Sequence, residues 1–449
     1  MEGNARNRRR PGIAFWGGAA LMAAAAVERV WLWRIYAPIE YGDTASYFRA
    51  AAVLAQGTLQ GYDGTRVPGF PLFVAALGLD AQRVWIGQMA LGLGITLLLY
   101  MWTLRSSRSP GVALAVGGLY NLIPGLFLFE ANLLTETLTA FLILLSLFLV
   151  GEARRQPGAG PGAGWALAAG VAAGAAGLVR ILFYPLAVAL VPFVWAGGRT
   201  VAARIARTLL FATPAALLLG GWVAYIDTSF GFLAPSTMGG YNLVQHTGVF
   251  FEYLPDEYAP LRDTYIKYRD ARIAERGDQT NAIWDAIPEL TQVTGLGFYD
   301  LSREMQRVSW LLIRQHPDLY LANVVDGWVD FWKAPVYWEA SRVATPAART
   351  LLGWWSTLGR GLCLVANAGY LVLVAALLWP IAFLRRLLRD ADWLAATGLV
   401  AVTSVLQTIL DHGDNPRFLV PLQMMVIYSV ARAALAGWQA RARVDESAA

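Results

Sequence analysis

The sequence predicts an all-α integral membrane protein of about ten transmembrane helices. Three observations carry that prediction. Hydrophobic residues make up 57% of the 449-residue chain and charged residues only 15%, whereas a soluble chain carries about 25% charged residues. The apolar residues come in runs of roughly 20, enough to cross about 30 Å of hydrocarbon. The basic residues sit in short clusters between those runs. The net charge of +5 and pI near 9.3 therefore reflect membrane topology rather than nucleic-acid binding.

The predicted spans have approximate cores at 12–34, 82–104, 111–129, 132–150, 164–179, 181–197, 207–228, 356–384, 391–410 and 416–438. The fifth and sixth run together across VRILFYP. The first could be read as a signal peptide, with RNRRRPG as its basic region. Apolar character continues past the would-be cut through VWLWRIY, which favours a retained helix. The basic clusters at 6–10, 105–108, 152–155, 198–207, 385–389 and 441–443 fall on alternate connections. The positive-inside rule makes that side cytoplasmic, with both termini on it and a multi-pass chain in the inner (plasma) membrane. QPGAGPGAG (156–164) reads as a flexible cytoplasmic linker. No internal repeat of the kind common in secondary transporters is visible.

Two outer connections are long. Residues 35–81 form the first and 229–355 the second, which is too long for a bare loop. Leu301, Met305, Val308 and Leu312 share a helical face. After His316-Pro317 a second amphipathic stretch runs through Leu321, Val325, Trp328 and Trp332. This predicts an external helical subdomain lying along the membrane surface. The domain expectation is an N-terminal seven-helix core over 1–228 that includes the outer loop 35–81. The external subdomain at 229–355 and a C-terminal three-helix segment at 356–449 complete it.

Metal and thiol chemistry find little support. The single cysteine, Cys363, lies in an apolar run as a small buried residue and allows no intramolecular disulfide. His246, His316 and His412 show no metal-ligand spacing.

The first outer segment contains EYGDTASYFRAAAVLAQG. Tyr47, Ala51, Leu54 and Ala55 share a face, so it reads as an interfacial amphipathic helix ended by Gly57. Asp43 stands where an N-cap belongs. It could also present a carboxylate to a site, with one oxygen capping and the other facing the site. RVPGFPLF follows, a rigid Pro-Gly turn that holds Arg66 at the headgroup level.

Other charges stand at the outer helix ends. NLLTETLTAF places Glu136 near the start of the fourth span, and GLVRILFYP places Arg180 between the fifth and sixth. DHGDNPRFLVPL places Asp411, Asp414 and Arg417 between the ninth and tenth. A charge within a span costs about 2.5–3.5 kcal/mol, and arginine is disfavoured on the outer side. The topology puts Asp43, Arg66, Glu136, Arg180 and Arg417 at one level. They form either a structural ion-pair network or a site for an anionic, membrane-embedded ligand, whose phosphate suits the planar arginine fork.

GDTASYFRAA, RVPGFPLF, LLTETL, GLVRILFYPL and PRFLVPL, in that order, resemble the GT-C class of membrane glycosyltransferases. Within it they resemble the bacterial branch related to protein O-mannosyltransferases and the lipid A aminoarabinose transferase. HPDLYLANVVDGWVDFW is similar to that branch as well. The resemblance covers most of the chain and is weakest over 229–295. It implies an enzyme that takes a sugar from a polyprenyl-phosphate carrier on the non-cytoplasmic face and passes it to a lipid, glycan or protein acceptor. Asp43 matches the family's catalytic base. Arg66 and Arg180 match the donor-phosphate binders, and Arg417 matches the late arginine. Glu136 matches the acidic residue early in the fourth span. The chain departs from the pattern in having one acidic residue at 43 rather than an adjacent Asp-Glu pair.

The chemistry fits these residue types. Arginines stabilise the charge growing on the leaving phosphate in a water-poor site. Asp43 accepts the proton of the attacking hydroxyl in a single inverting displacement. Glu136, Tyr47 and Asp414 are left for donor-sugar contacts or for orienting the arginines. No cofactor is required, although Asp43, Glu136 or Asp414 could hold a divalent ion. The rival reading is a transporter or flippase of a lipid-linked sugar, which should carry charges deep in its spans. A third is an envelope-assembly ligase or scaffold using 229–355 as a docking surface.

Overall fold

The computed structural model describes residues 12–156, 161–411, 413 and 415–448. The basic stretch 6–10, much of the expected linker, His412 and Asp414 lie outside the described residues. Among those described, the chain is helical with no strand, only an isolated parallel bridge between Ile39 and Asn132.

Helix α1 (Ile13–Ile35) leads to the interfacial α2 (Thr44–Leu54), the short α3 (Gly69–Ala76), and the long α4 (Ala81–Ser107). Then come α5 (Pro110–Leu122), α6 (Pro124–Phe127), α7 (Glu136–Arg155), α8 (Pro161–Val179), α9 (Leu186–Trp195) and α10 (Val201–Phe230). The external region holds α11 (Gly239–Thr247), α12 (Ala259–Arg276), α13 (Ala282–Thr294), α14 (Phe298–Gln315) and α15 (Pro317–Phe331). The chain closes with α16 (Pro346–Ala376), α17 (Ala382–Leu387), α18 (Ala391–Leu410), α19 (Asn415–Leu419) and α20 (Gln423–Ala448).

Among the described residues, 8 helices are long and apolar enough to cross a membrane, or 9 if one bent pair counts as a span. Two expected spans are therefore not straight full-length helices. The 111–129 run breaks between α5 and α6 with a 65° bend. Pro124 causes it: Ile123 before it is extended (φ −104°, ψ 104°), the conformation a following proline imposes. The 181–197 run yields only the shorter apolar helix Ile181–Trp195, which opens as a 3-10 turn at Ile181–Phe183 before Pro185.

Members of two of the basic clusters expected on one side, 105–108 and 152–155, meet at one end of the bundle. Arg105 and Arg155 both pair with Glu152, and Arg154 and Arg155 both pair with Asp392. Helix α7 separates this end from Glu136 by its 20 residues, about 30 Å at 1.5 Å per residue.

The external helices carry a core of their own. Leu301, Met305, Val308 and Leu312 are fully buried against Tyr241, Val244, Tyr265 and Leu290 from α11, α12 and α13. The apolar face of α14 thus packs inward, not onto a membrane surface. Helix α15 differs: Leu321, Val325 and Val329 are exposed at helical spacing, as in a helix whose apolar stripe faces lipid.

Candidate active site

The bridge at Ile39 begins the site. Ile39 N–H donates to Ala131 O at 2.9 Å and Leu133 N–H to Ile39 O at 3.0 Å. Thr44 Oγ1 donates to Leu133 O at 3.1 Å and accepts from Tyr41 N–H at 2.9 Å. These bonds strap the start of α2 to the segment that leads into α7, so Asp43 and Glu136 become neighbours.

Asp43 occupies the N-cap position of α2, but its side chain makes no capping bond. The expected division of its oxygens is therefore not what the structure shows. Oδ1 accepts from Arg66 Nη2 at 2.6 Å and Oδ2 from Arg417 Nη2 at 2.9 Å.

Arg66 is fixed from several directions. Its Nε donates to Ser46 Oγ at 2.9 Å, and its guanidinium lies 4.9 Å from the centre of the Tyr47 ring. Tyr62 donates its hydroxyl to Arg66 O at 3.0 Å. The Pro-Gly turn then enters α3 at Gly69, where a Cβ would come within 2.7 Å of Leu178 O. Only glycine lets this turn lie against the end of α8, beside Arg180.

Glu136 opens α7 and is buried. A carboxylate is favoured there by the free amides and dipole of the helix N-terminus. Its Oε1 accepts from Arg417 Nε at 2.5 Å and from Arg180 Nη1 at 2.6 Å, while Oε2 has no hydrogen-bond partner. Arg180 also stacks 4.1 Å over the Phe418 ring. Three guanidiniums thus share two carboxylates, leaving the cluster one positive charge in excess.

The cluster borders a cavity of about 1150 Å³. Asp43, Tyr47, Arg66, Arg180 and Arg417 line it, and Glu136 sits behind Arg180 and Arg417. Burial raises the Asp43 carboxyl, but Arg66 and Arg417 outweigh it and hold the group well below the usual carboxylate range.

The opposite wall comes from the external helices, which sequence reasoning left without site residues. Arg272 on α12 and Trp284 on α13 line the cavity. Gln245 on α11 reaches across to the bundle, donating from Nε2 to Asp411 Oδ1 at 3.1 Å. No periodicity or motif marks Gln245. Asp411 stood out only as an acid at a helix end. Asp414, expected near the sugar, lies outside the described residues. Among the described residues no group of three or more His, Cys, Asp or Glu side chains is arranged to hold a metal ion.

A scan against protein-family models finds no match, and a search of curated proteins finds none. Among solved structures, the chain is similar to the apo oligosaccharyltransferase of Archaeoglobus fulgidus over 92% of its length and 50% of that chain, with TM-score 0.49 and 13% identity. It is similar to apo ArnT from Cupriavidus metallidurans over 94% of its length and 77% of that chain, with TM-score 0.37 and 16% identity. For ArnT bound to undecaprenyl phosphate the values are 95%, 77%, 0.35 and 15%. The chain spans about half the length of the oligosaccharyltransferase. Both neighbours are GT-C glycosyltransferases, the class that the motif order resembles. At these scores no residue role is carried over from them.

Proposed function

We propose that this chain is a multi-pass membrane glycosyltransferase that moves a sugar from a polyprenyl-phosphate donor to a lipid, glycan or protein acceptor on the non-cytoplasmic face. One observation carries the reading. Asp43 meets Arg66 and Arg417 on the wall of a cavity large enough for two substrates. A cluster with more guanidinium than carboxylate is built to take an added anion, and arginine binds phosphate oxygens in pairs.

The donor phosphate enters among Arg66, Arg180 and Arg417 and competes with Asp43 for the first and last of them. The carboxylate that the arginines had made a weak base then regains basicity where the acceptor arrives. The acceptor hydroxyl attacks the anomeric carbon from the face opposite the phosphate. The bond between that carbon and the phosphate oxygen breaks, and its electron pair stays on the phosphate, where the arginines stabilise the new charge. The hydroxyl proton passes to Asp43, and a single displacement inverts the anomeric centre. Glu136 holds Arg180 and Arg417 in place, and Tyr47 supports Arg66 from below; Asp414 is assigned to the donor sugar. The arginines neutralise the phosphate, so this step requires no metal.

Mass spectrometry of envelope glycans and lipids, with and without the gene, tests the class of reaction by revealing a missing sugar. Asp43→Asn tests the mechanism. The variant should lose about 10²–10⁴-fold in transfer, the usual contribution of a general base, and still be stabilised by undecaprenyl phosphate in a thermal-shift assay. Near-normal transfer by Asp43→Asn would remove Asp43 from the role of base.

A further inference from the structure

The cavity holds a carboxylate that the arginine cluster does not use. Asp43 is bound on both oxygens by guanidinium groups. Asp285 pairs with Arg272 at 3.0 Å, and Asp63 Oδ1 closes a local turn by accepting from Thr65 N–H and Oγ1. Asp411 lines the same cavity and, among the described residues, forms no ion pair. Its Oδ1 accepts from Gln245 Nε2 at 3.1 Å and from Gly413 N–H at 2.9 Å. Its Oδ2 accepts no hydrogen bond from any described residue.

The support behind this carboxylate comes from the external helices. Gln245 is held at three points. Its Nε2 binds Asp411, its Oε1 accepts from Asn281 N–H at 3.0 Å, and its backbone carbonyl accepts from Gln279 Nε2 at 2.8 Å. Asn281 is one of few non-glycine residues with positive φ (67°), and Trp284 Nε1 donates to its side chain at 3.1 Å. Asp411 is thereby aimed by the turn between α12 and α13.

We infer that Asp411 is the acceptor-binding carboxylate, with Oδ2 receiving the hydrogen bond of an acceptor hydroxyl other than the attacking one and Gln245 holding the group in that orientation. This rests on the transfer reading above. A fixed negative charge repels the donor phosphate, which settles among the arginines. The same charge attracts a hydroxyl donor, and a bond to a charged acceptor is stronger than a neutral one. The acceptor therefore enters between the α12–α13 turn and the arginine cluster, held by Asp411 through a second hydroxyl, while its attacking hydroxyl passes its proton to Asp43. The assignment also explains why the two carboxylates have such different surroundings. Burial pushes Asp411 up to about 6, with Gly413 N–H, Arg180 and Arg417 opposing and Asp43 adding to the rise.

The test uses the full-length detergent-solubilised protein. The donor is the polyprenyl-phosphate-sugar fraction of the source cells. The acceptor, varied in amount, is the lipid and glycan extract of membranes from cells lacking the gene. Released polyprenyl phosphate is quantified by mass spectrometry. Asp411→Ala should raise the acceptor amount giving half-maximal rate about tenfold or more, the loss expected for one hydrogen bond to a charged group. It should not weaken the donor dependence or the thermal shift with undecaprenyl phosphate. Gln245→Ala should move the acceptor dependence in the same direction by less. Wild-type acceptor dependence in Asp411→Ala, with transfer intact, overturns the assignment and leaves the transfer reading standing. Wild-type protein that releases no carrier at any acceptor amount removes both.

Discussion

Two of the arginine–carboxylate clusters in this molecule differ in a way that separates a fastening from a site. The first is the cavity cluster of Asp43, Arg66, Arg417, Glu136 and Arg180. The second is buried between α1, α4 and α5: Arg29 donates from Nε and Nη2 to the two oxygens of Glu130, at 2.9 and 2.5 Å, and from Nη1 to Asn121 Oδ1 at 2.8 Å. Tyr120 adds its hydroxyl to Glu130 Oε1 at 2.8 Å, and Gln88 donates to Glu130 O at 3.0 Å. Both oxygens of Glu130 are satisfied, the residue is fully buried, and a Cβ at Gly92 would overlap its carboxylate. The cavity cluster is the reverse: it shares two carboxylates among three arginines, leaves Glu136 Oε2 unbonded, and exposes Asp43 by 30%. The residue types match. Closure and completeness mark the structural pair, and an opening with surplus charge marks the site.

The largest effect that sharpens this contrast is expected at Glu130. Glu130→Ala leaves buried Arg29 with only the more distant Glu28 carboxylate, 3.8 Å away, and should cost about 3–5 kcal/mol, seen as lost yield or a large drop in detergent unfolding temperature. The fraction that folds should bind undecaprenyl phosphate normally. Loss of carrier binding with unchanged stability would instead assign the sealed pair to function.

Arg417→Lys should do the opposite. Lysine keeps the charge but loses the fork that reaches Asp43 and Glu136 together. Carrier affinity, measured by titration with undecaprenyl phosphate, should fall about tenfold, the worth of one charge-assisted hydrogen bond. The unfolding temperature should fall less than in Glu130→Ala, because lysine keeps a positive charge beside the buried Glu136 carboxylate and the Asp43 partner is partly exposed. A large stability loss would make this cluster a second fastening.

The cavity cluster was legible in the sequence because its members stand at helix ends beside turns. Asp43 precedes an amphipathic stretch, Arg66 a Pro-Gly turn, Arg180 a proline-bounded break, and Arg417 a Pro-containing junction. Each interrupts an apolar run and draws notice. Arg29 and Glu130 sit inside apolar runs, at AVERVWL and FLFEANLL, where one or two charges do not change a hydropathy reading. Only the three-dimensional pairing shows them. The bend at Ile123 was hidden for a related reason. Hydropathy over 111–129 is continuous, and whether Pro124 kinks or breaks a helix depends on what packs around it. Gln245 lay beyond reach altogether. Its significance is a hydrogen bond to a residue 166 positions away, and a neutral side chain in an amphipathic helix carries no local signal of it.

The smallest expected effect compares the two cavity carboxylates within one measurement, unfolding in detergent as a function of pH. The Asp411 carboxyl is raised by burial to about 6, above its unfolded value near 3.9. The folded state therefore holds its proton more tightly, and stability should decline as pH rises from about 4 to about 6, then level off. The group is half-buried, so solvent access reduces the full shift to an effect on the order of 1 kcal/mol. Asp43 has the opposite sign. Arg66 and Arg417 outweigh its burial and depress it, so its contribution is present above the unfolded value and is lost only as pH falls below it. Between pH 4 and 6 Asp43 is ionised in both states and adds almost no slope. Asp411→Asn should therefore flatten the decline in that window, and Asp43→Asn should leave it in place. If Asp43→Asn flattens it and Asp411→Asn does not, the roles of bound and unbound carboxylate are reversed.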